Sequence, residues 1–273
     1  MKAEQYQRQL DRVTEYIYTH LDEDLRLDML AEVAGFSPYH WHRLYRAVRG
    51  ESAAKTVERL RLERAAELLM ETRLPITRIA TRSGFANATT FSRAFIRSYG
   101  VLPSRYRDGE KRTVFRPVAV DREPGGHPVE IVDGDQIVLA ASRHRGSYLN
   151  IGQAFARVRD RIGSGGRMLA MFEDDPDAAA TAALRSVAGV VVEPDMPIPD
   201  GLERTVIPAG RLAVLHYVGP YALMHTAYRW LYGTWLPASG QEPRNHPVLE
   251  EYLTDPAETA PAEAVTRLLL PIC

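Results

Sequence analysis

The chain has 273 residues, 45% of them hydrophobic and 25% charged, ordinary globular values that exclude a disordered or fibrous chain and suit two domains better than one. The net charge of −1 conceals a division: residues 1–112 hold 20 Lys+Arg against 15 Asp+Glu, residues 113–273 hold 14 against 20, and within 36–107 the balance is 14 against 5. A basic half beside an acidic half points to a polyanion as partner of the first half only, although Arg-rich helices also occur simply as solvated faces.

The opening MKAEQYQRQLDRV lacks the apolar core of a signal peptide. Tyr6, Leu10, Val13, Ile17 and Leu21, three and four apart, predict a helix over 4–21. Leu27, Leu30, Ala31 and Ala34 predict a short second helix that Gly35 ends. Ser37 and Pro38 then supply an N-cap and a first-turn proline for a helix running to Gly50. Short helix, glycine turn and capped second helix form the pattern of a helix-turn-helix. The pattern recurs: Ile76, Ile79 and Ala80 mark a short helix, Gly84-Phe85 the turn, Asn87 the cap, and 88–99 a long helix closed by Gly100. Between the two units, SAAKTVERLRLERAAELLMET predicts a helix capped by Ser52. Its length of roughly 28 Å is near the roughly 34 Å between successive major-groove faces of B-DNA. Two reading helices on such a spacer could engage one face of a duplex without dimerising.

In the first unit Trp41, Leu44, Tyr45 and Val48 form the apolar stripe, leaving Tyr39, His42, Arg43 and Arg46 on the opposite one. Arg43 can pair bidentately with guanine, and His42 can donate or accept at a base edge. In the second unit Phe91 and Phe95 are core, which leaves Thr89, Ser92, Arg93 and Ile96 outward. Arg43 and Arg93 are read as base contacts, and Tyr39 and Ile96 as packing or phosphate contacts. Lys55, Arg59, Arg61 and Arg64 supply phosphate contacts or only solubility, which sequence does not separate. LAEVAGFSPYHWHRLYRAVRGES, RLERAAELL and ITRIATRSGFANATTFSRAFIRSYGVLPSRYR together resemble the DNA-binding domain of the AraC/XylS family of bacterial transcription regulators. The resemblance implies two helix-turn-helix units on double-stranded DNA, transcription activation and contact with RNA polymerase. Ala88 and Thr89 stand where many members carry glutamines in the second reading helix, so relatives' operators do not transfer.

Residues 109–128, rich in Gly and Pro, read as a linker between a DNA-binding domain at 1–108 and a second domain at 129–273. In the second domain IVLAASRHRGSYLNIGQAFARVRDRI (137–162) lies over RLAVLHYVGPYALMHTAYRWLYGTWL (211–236), and LAMFEDDPDAA (169–179) over LEEYLTDPAET (249–259). Each copy reads as strand, glycine turn, helix, strand, Asp-Pro turn and strand. The expected fold is therefore multidomain: an all-α double helix-turn-helix, then an α+β domain of two pseudo-symmetric βαββ repeats with a cleft near the pseudo-axis. The aromatic pairs Tyr148/Tyr221, Phe155/Tyr228 and Phe172/Tyr252 recur on both sides, the phenylalanines reading equally as core. Glu250 breaks the symmetry, falling on Ala170 and sharing a strand face with Tyr252. A carboxylate beside aromatics suits a cationic aromatic ligand; the adjacent Glu251 reads as a solvated strand-end glutamate.

HRGSY and YVGPY, LYGTWLPASG and HPVLEEYLTDPAETAP resemble the GyrI-like (SbmC-like) effector-binding domain. The resemblance implies an amphipathic or cationic small-molecule effector, with Tyr228, Glu250 and Tyr252 among its contacts; the repeated aromatic pairs add Tyr148 and Tyr221 as ligand candidates, since a buried phenol wants a partner for its hydroxyl. Tyr228 and Thr254 stand where many members have Trp and Asn, which leaves the ligand's identity open. The chain is thus expected to be a ligand-controlled transcription regulator in the cytoplasm, without a membrane partner and not an enzyme. Two alternatives stay open: a GyrI-like hydrolase of reactive small molecules with Glu250 activating water, and a protein-interaction module. The chain ends on Cys273, its lone cysteine, and its eight histidines show no ligand spacing, so no disulfide, metal or cofactor is expected.

Overall fold

The computed structural model describes residues 2–109, 126–163, 165–174, 181–254 and 259–273. Residues 110–125 of the expected linker and the Asp-Pro turns at 175–176 and 255–256 lie outside the described residues. The described chain falls into two compact units, one of residues 4–36 and 49–109 and one of residues 2–3, 37–48 and 126 onward.

The first unit is helical, built from α1 (Lys2–Thr19), α2 (Leu27–Ala34), α4 (Ala53–Glu71), α5 (Ile76–Arg82), α6 (Ala88–Tyr99) and α7 (Pro103–Arg107). Helix α3 (Pro38–Arg49) lies almost wholly in the second unit. The spaced residues Tyr6, Leu10, Val13, Ile17 and Leu21 are all buried, as their periodicity requires. Gly35 closes α2 at φ 70, and Ser52 Oγ accepts the Lys55 N–H at 3.3 Å to start α4. Asn87 does the same for α6 through Thr90 N–H at 2.8 Å. Phe91, Phe95, Tyr99 and Tyr106 pack with Leu62, Leu69 and Ile79 into the core of the second helix-turn-helix, Phe95 stacking on Tyr99 at 4.4 Å. Two of the spacer's basic residues hold this fold together. Arg61 donates to the carbonyls of Leu21 and Glu23 at 2.8 and 2.7 Å, and Arg59 pairs with Glu51 at 2.7 Å and Glu63 at 3.1 Å.

The second unit carries an eight-stranded antiparallel sheet: β1 (Val129–Gly134), β2 (Ile137–Arg145), β3 (Met168–Phe172), β4 (Arg185–Val192), β5 (Glu203–Ile207), β6 (Gly210–Val218), β7 (Leu249–Tyr252) and β8 (Val265–Pro271). Its order is β1-β6-β8-β7-β3-β4-β2-β5, which reads the same from either end once the repeats are exchanged. Each predicted βαββ copy gains one short strand in front. That strand crosses over, β1 pairing with β6 of the second repeat and β5 with β2 of the first. The helices are α8 (Gly152–Ile162) in the first repeat, and α9 (Met224–Trp230), a π-helical turn (Leu231–Trp235) and α10 (Leu236–Ser239) in the second. Pro237 lacks the N–H that would bond the Gly233 carbonyl, which accounts for the irregular turn. Ile137 and Ile207 from one end of the sheet share a core cluster with Leu212 and Val214 from the other, on the inner face of the curled sheet. On the opposite face Ala154 and Phe155 of α8 pack on Ala170, Phe172 and Ala188 of the sheet.

Gly84 fixes the turn of the second helix-turn-helix. At φ 79 it sits where a Cβ would lie 2.0 Å from the Leu21 carbonyl oxygen and 2.5 Å from Arg61 Nε. Gly84→Ala is therefore expected to cost roughly 2–4 kcal/mol, read as a lower urea midpoint for the helical signal. An unchanged midpoint would contradict this packing.

Candidate functional site

Strands β3 and β7 meet at the centre of the sheet, where Ala170 is the direct cross-strand partner of Glu250. These are the two positions that the internal repeat superposes, so the pseudo-axis passes between them. Where one repeat offers a methyl group, the other extends a carboxylate into the space left open. Strand alternation turns Glu250 and Tyr252 toward the helical face, as the sequence predicts. It turns Glu251 to the curled inner face.

Glu250 is 6% exposed. Its Oε1 accepts the Tyr228 hydroxyl and its Oε2 the Tyr252 hydroxyl, each at 2.8 Å. Burial pushes the Glu250 carboxyl above its usual range, opposed by the two phenols and by the charge of Arg43. Burial and the neighbouring carboxylate push both tyrosines well above theirs, so they stay protonated as donors. Tyr252 meets Phe155 and Tyr221 edge to face at 5.5 and 5.7 Å, completing an aromatic rim. Tyr148 stands one layer away against Phe172, ring centroids 4.7 Å apart, and its hydroxyl lies 2.9 Å from the Asp174 carbonyl oxygen. Of the predicted ligand residues, Tyr228, Glu250 and Tyr252 form one hydrogen-bonded cluster. Tyr221 borders it, and Tyr148 is held by backbone.

Glu251 corrects the expectation of a solvated glutamate. It is 3% exposed and pairs with Arg167 at 2.7 Å and Arg267 at 3.7 Å. The curl of the sheet buries this face, where a cavity of about 500 Å³ opens beside all three residues.

Helix α3 lies against the same helical face. Trp41, Leu44 and Tyr45 are buried, as the apolar stripe predicts. His40 is fully buried: its Nε2 lies 2.7 Å from the Arg244 carbonyl oxygen and its Nδ1 2.7 Å from the Tyr232 hydroxyl. A carbonyl only accepts, so Nε2 carries the proton and Tyr232 donates to Nδ1. Ser37 Oγ donates to Asn245 Oδ1 at 2.7 Å. Arg43 donates to the Phe172 carbonyl oxygen at 3.2 Å, and its guanidinium carbon lies 5.1 Å from the centroid of the Tyr228 ring. Tyr39, His42 and Arg46 are partly buried, and His42 Nε2 accepts from Trp41 Nε1 at 2.9 Å. On α6, Thr89 and Arg93 are exposed, Ser92 is partly buried, and Ile96 is 40% exposed, while Phe91 and Phe95 are fully buried. The split predicted for α6 holds. Sequence reasoning missed that α3 brings His40 to Tyr232 and Arg43 to Tyr228; no local periodicity marks a contact between residues so far apart in the chain.

The family of the GyrI-like small molecule binding domain matches residues 127–272. The chain belongs to that family. A helix-turn-helix domain family matches residues 30–109, so an AraC-type DNA-binding domain precedes the GyrI-like domain. Among curated relatives, the bifunctional transcriptional activator/DNA repair enzyme AdaA of Bacillus subtilis is 34% identical over 102 residues, 37% of this chain and 48% of AdaA. Regulatory protein SoxS of Salmonella typhimurium is 33% identical over 102 residues, covering 37% of this chain and 95% of SoxS. Transcriptional regulator Rob of the same organism is 34% identical over 96 residues, 35% of this chain and 33% of Rob. The match therefore spans nearly all of SoxS but under half of AdaA and of Rob. Among the described residues, no helix is long and apolar enough to cross a membrane.

His40 makes this packing acid-sensitive. Burial, then the charge of Arg43, holds its imidazole down to about 3 from the usual 6.5. Below 6.5 the unfolded chain binds a proton there that the folded chain refuses, so this stability is complete above 6.5 and is lost as pH falls toward 3. The melting temperature of the full chain is expected to drop between pH 6.5 and 4, with a shallower drop in His40→Gln, whose amide does not titrate. Equal slopes would remove His40 from the acid response.

Proposed function

We propose that the chain is a sequence-specific DNA-binding transcription regulator whose GyrI-like domain senses a small amphipathic cation at Glu250. The observation that carries this reading is a carboxylate 6% exposed, answered by two phenols and rimmed by aromatic rings. Hydroxyls share a carboxylate's charge without neutralising it, so a bound cation gains Coulomb attraction in a site of low dielectric. Aromatic faces add cation–π attraction and take up the apolar body. Tyr228, Glu250 and Tyr252 contact the ligand, Tyr221 closes the rim, and Tyr148 shapes the neighbouring layer. The match to SoxS and the two helix-turn-helix patterns support DNA reading by Tyr39, His42, Arg43 and Arg46 on α3 and by Thr89, Ser92 and Arg93 on α6. Bacterial RNA polymerase in the cytoplasm is the partner of that activity. Hydrolysis with Glu250 as base draws support from its raised carboxyl alone. Both of its oxygens already accept phenolic hydrogens, which ranks that reading second.

The test is the melting temperature of the full chain against lipophilic quaternary cations, bile-salt-like anions and neutral aromatics. Only the cations should raise it, and Glu250→Gln should abolish the rise. Because Glu250 must ionise to attract a cation, affinity should strengthen as pH climbs through its raised pKa, and Glu250→Gln should flatten that dependence. No shift with any cation would overturn the sensing role.

DNA reading is tested on a duplex recovered by selection from a random pool with the full chain. Arg93→Ala is expected to weaken binding by about 1–3 kcal/mol and relax the preference at one base pair. Uniform weakening across sequences would instead make Arg93 a phosphate contact.

A further inference from the structure

Helix α3 carries three stripes. Trp41, Leu44 and Tyr45 are buried. Tyr39, His42, Arg43 and Arg46 form the stripe whose chemistry suits base edges. A third stripe, His40, Arg43 and Ala47, faces the effector side of the second unit. His40 bonds Tyr232 and Arg244, Arg43 lies on Tyr228, and Ala47 meets Gly233 so closely that a Cβ there would stand 2.9 Å from the Ala47 carbonyl oxygen. Arg43 alone belongs to both the second stripe and the third. A guanidinium lying on the Tyr228 ring cannot at the same time pair with a guanine.

We infer that Arg43 is a built-in occupant of the Glu250–Tyr228 site, so that an external planar cation of amidinium or guanidinium type competes with it, releases α3 and frees Arg43 for DNA. This rests on the sensing role proposed above and adds to it the ligand's shape and the switching element. Three features make Arg43 a stand-in for a ligand. Its charge is delocalised over a plane, as stacking on a phenol ring favours. It sits over the very tyrosine that donates to Glu250. Its bond to the Phe172 carbonyl at 3.2 Å is of a kind an amidinium N–H reproduces. Gly233 is the other half of the device. In the π-helical turn its missing side chain lets α3 approach, and the Cβ it lacks would meet Ala47.

The experiment titrates benzamidine, an aromatic amidinium, and a quaternary lipophilic cation into the full chain and three variants, Arg43→Gln, Gly233→Ala and Glu250→Gln, each first checked for an unchanged helical signal. Apparent affinity is the intrinsic affinity scaled by the open fraction, so a site open about a tenth of the time binds roughly tenfold more weakly than a freed one. Arg43→Gln should therefore bind benzamidine about tenfold tighter, and Gly233→Ala, which keeps every polar group of the site, should do the same. Glu250→Gln should lose binding. On the selected duplex, benzamidine should strengthen binding by the unaltered chain severalfold and leave Gly233→Ala, already released, unchanged. Unaltered benzamidine affinity in both Arg43→Gln and Gly233→Ala would overturn the competition while Glu250-dependent binding left the sensing role standing. Failure of both cations on every variant would overturn both. Weaker DNA binding with benzamidine would overturn the release of α3.

Discussion

A carboxylate kept out of water at the centre of a curled sheet is the constraint that organises the second unit. Glu250 stands at the pseudo-axis, opposite an alanine, and is 6% exposed. An isolated charge in such a place is costly, and the chain offsets the cost with two phenolic hydroxyls at 2.8 Å. Each tyrosine comes from a different element, Tyr228 from α9 and Tyr252 from β7 itself. The helix must therefore lie where its ring can reach the strand. Position of helix, direction of strand alternation and protonation of both phenols follow from one requirement.

The neighbouring carboxylate shows the alternative solution. Glu251 is as buried as Glu250 but on the other face, and there two arginines answer it. A pair neutralised by its own chain needs nothing further; removing a partner from a buried pair is what destabilises. At Glu250 the hydrogen-bonded partners are neutral, and a cation whose charge reaches it, Arg43, arrives from a helix distant in sequence. Two adjacent glutamates on one strand thus differ in kind. One is closed off by charge, the other is left with attraction to spare.

What could be read from sequence follows the range of the forces involved. Caps at Ser52 and Asn87, the glycine of the second turn and the buried face of α1 are local events, decided within a few residues, and each is legible in the letters. The shared face of Glu250 and Tyr252 follows from period-two alternation, and Tyr228 from the internal repeat. The strands β1 and β5 escape because they are short and half polar, and are stabilised by pairing with the opposite repeat. Glu251 escapes because its burial depends on the curl of the whole sheet. Arg43 looks like any basic residue of a DNA-reading helix, since nothing near it in the chain tells that Tyr228 lies beneath it.

The chemistry of the α3 packing bears on whether it can be undone. Its specific contacts are largely polar: Ser37 to Asn245, His40 to Tyr232 and Arg244, Arg43 to Phe172. A hydrogen bond exchanged for bonds to water contributes only about 0.5–1.5 kcal/mol net, so such a surface separates more readily than an apolar one of equal area. Allosteric couplings between sites are typically about 1–3 kcal/mol, which is the scale of one or two such bonds together with one cation–π contact. A guanidinium on an aromatic ring lies within that range, whereas burial of a second apolar stripe on α3 would lie beyond it. By the reciprocity of linkage, whatever factor the cation adds to DNA affinity, DNA adds to the affinity for the cation. On the competition inferred above, the arginine that limits affinity for the cation is also the one that couples the cation to DNA, so neither property is tuned at Arg43 without changing the other.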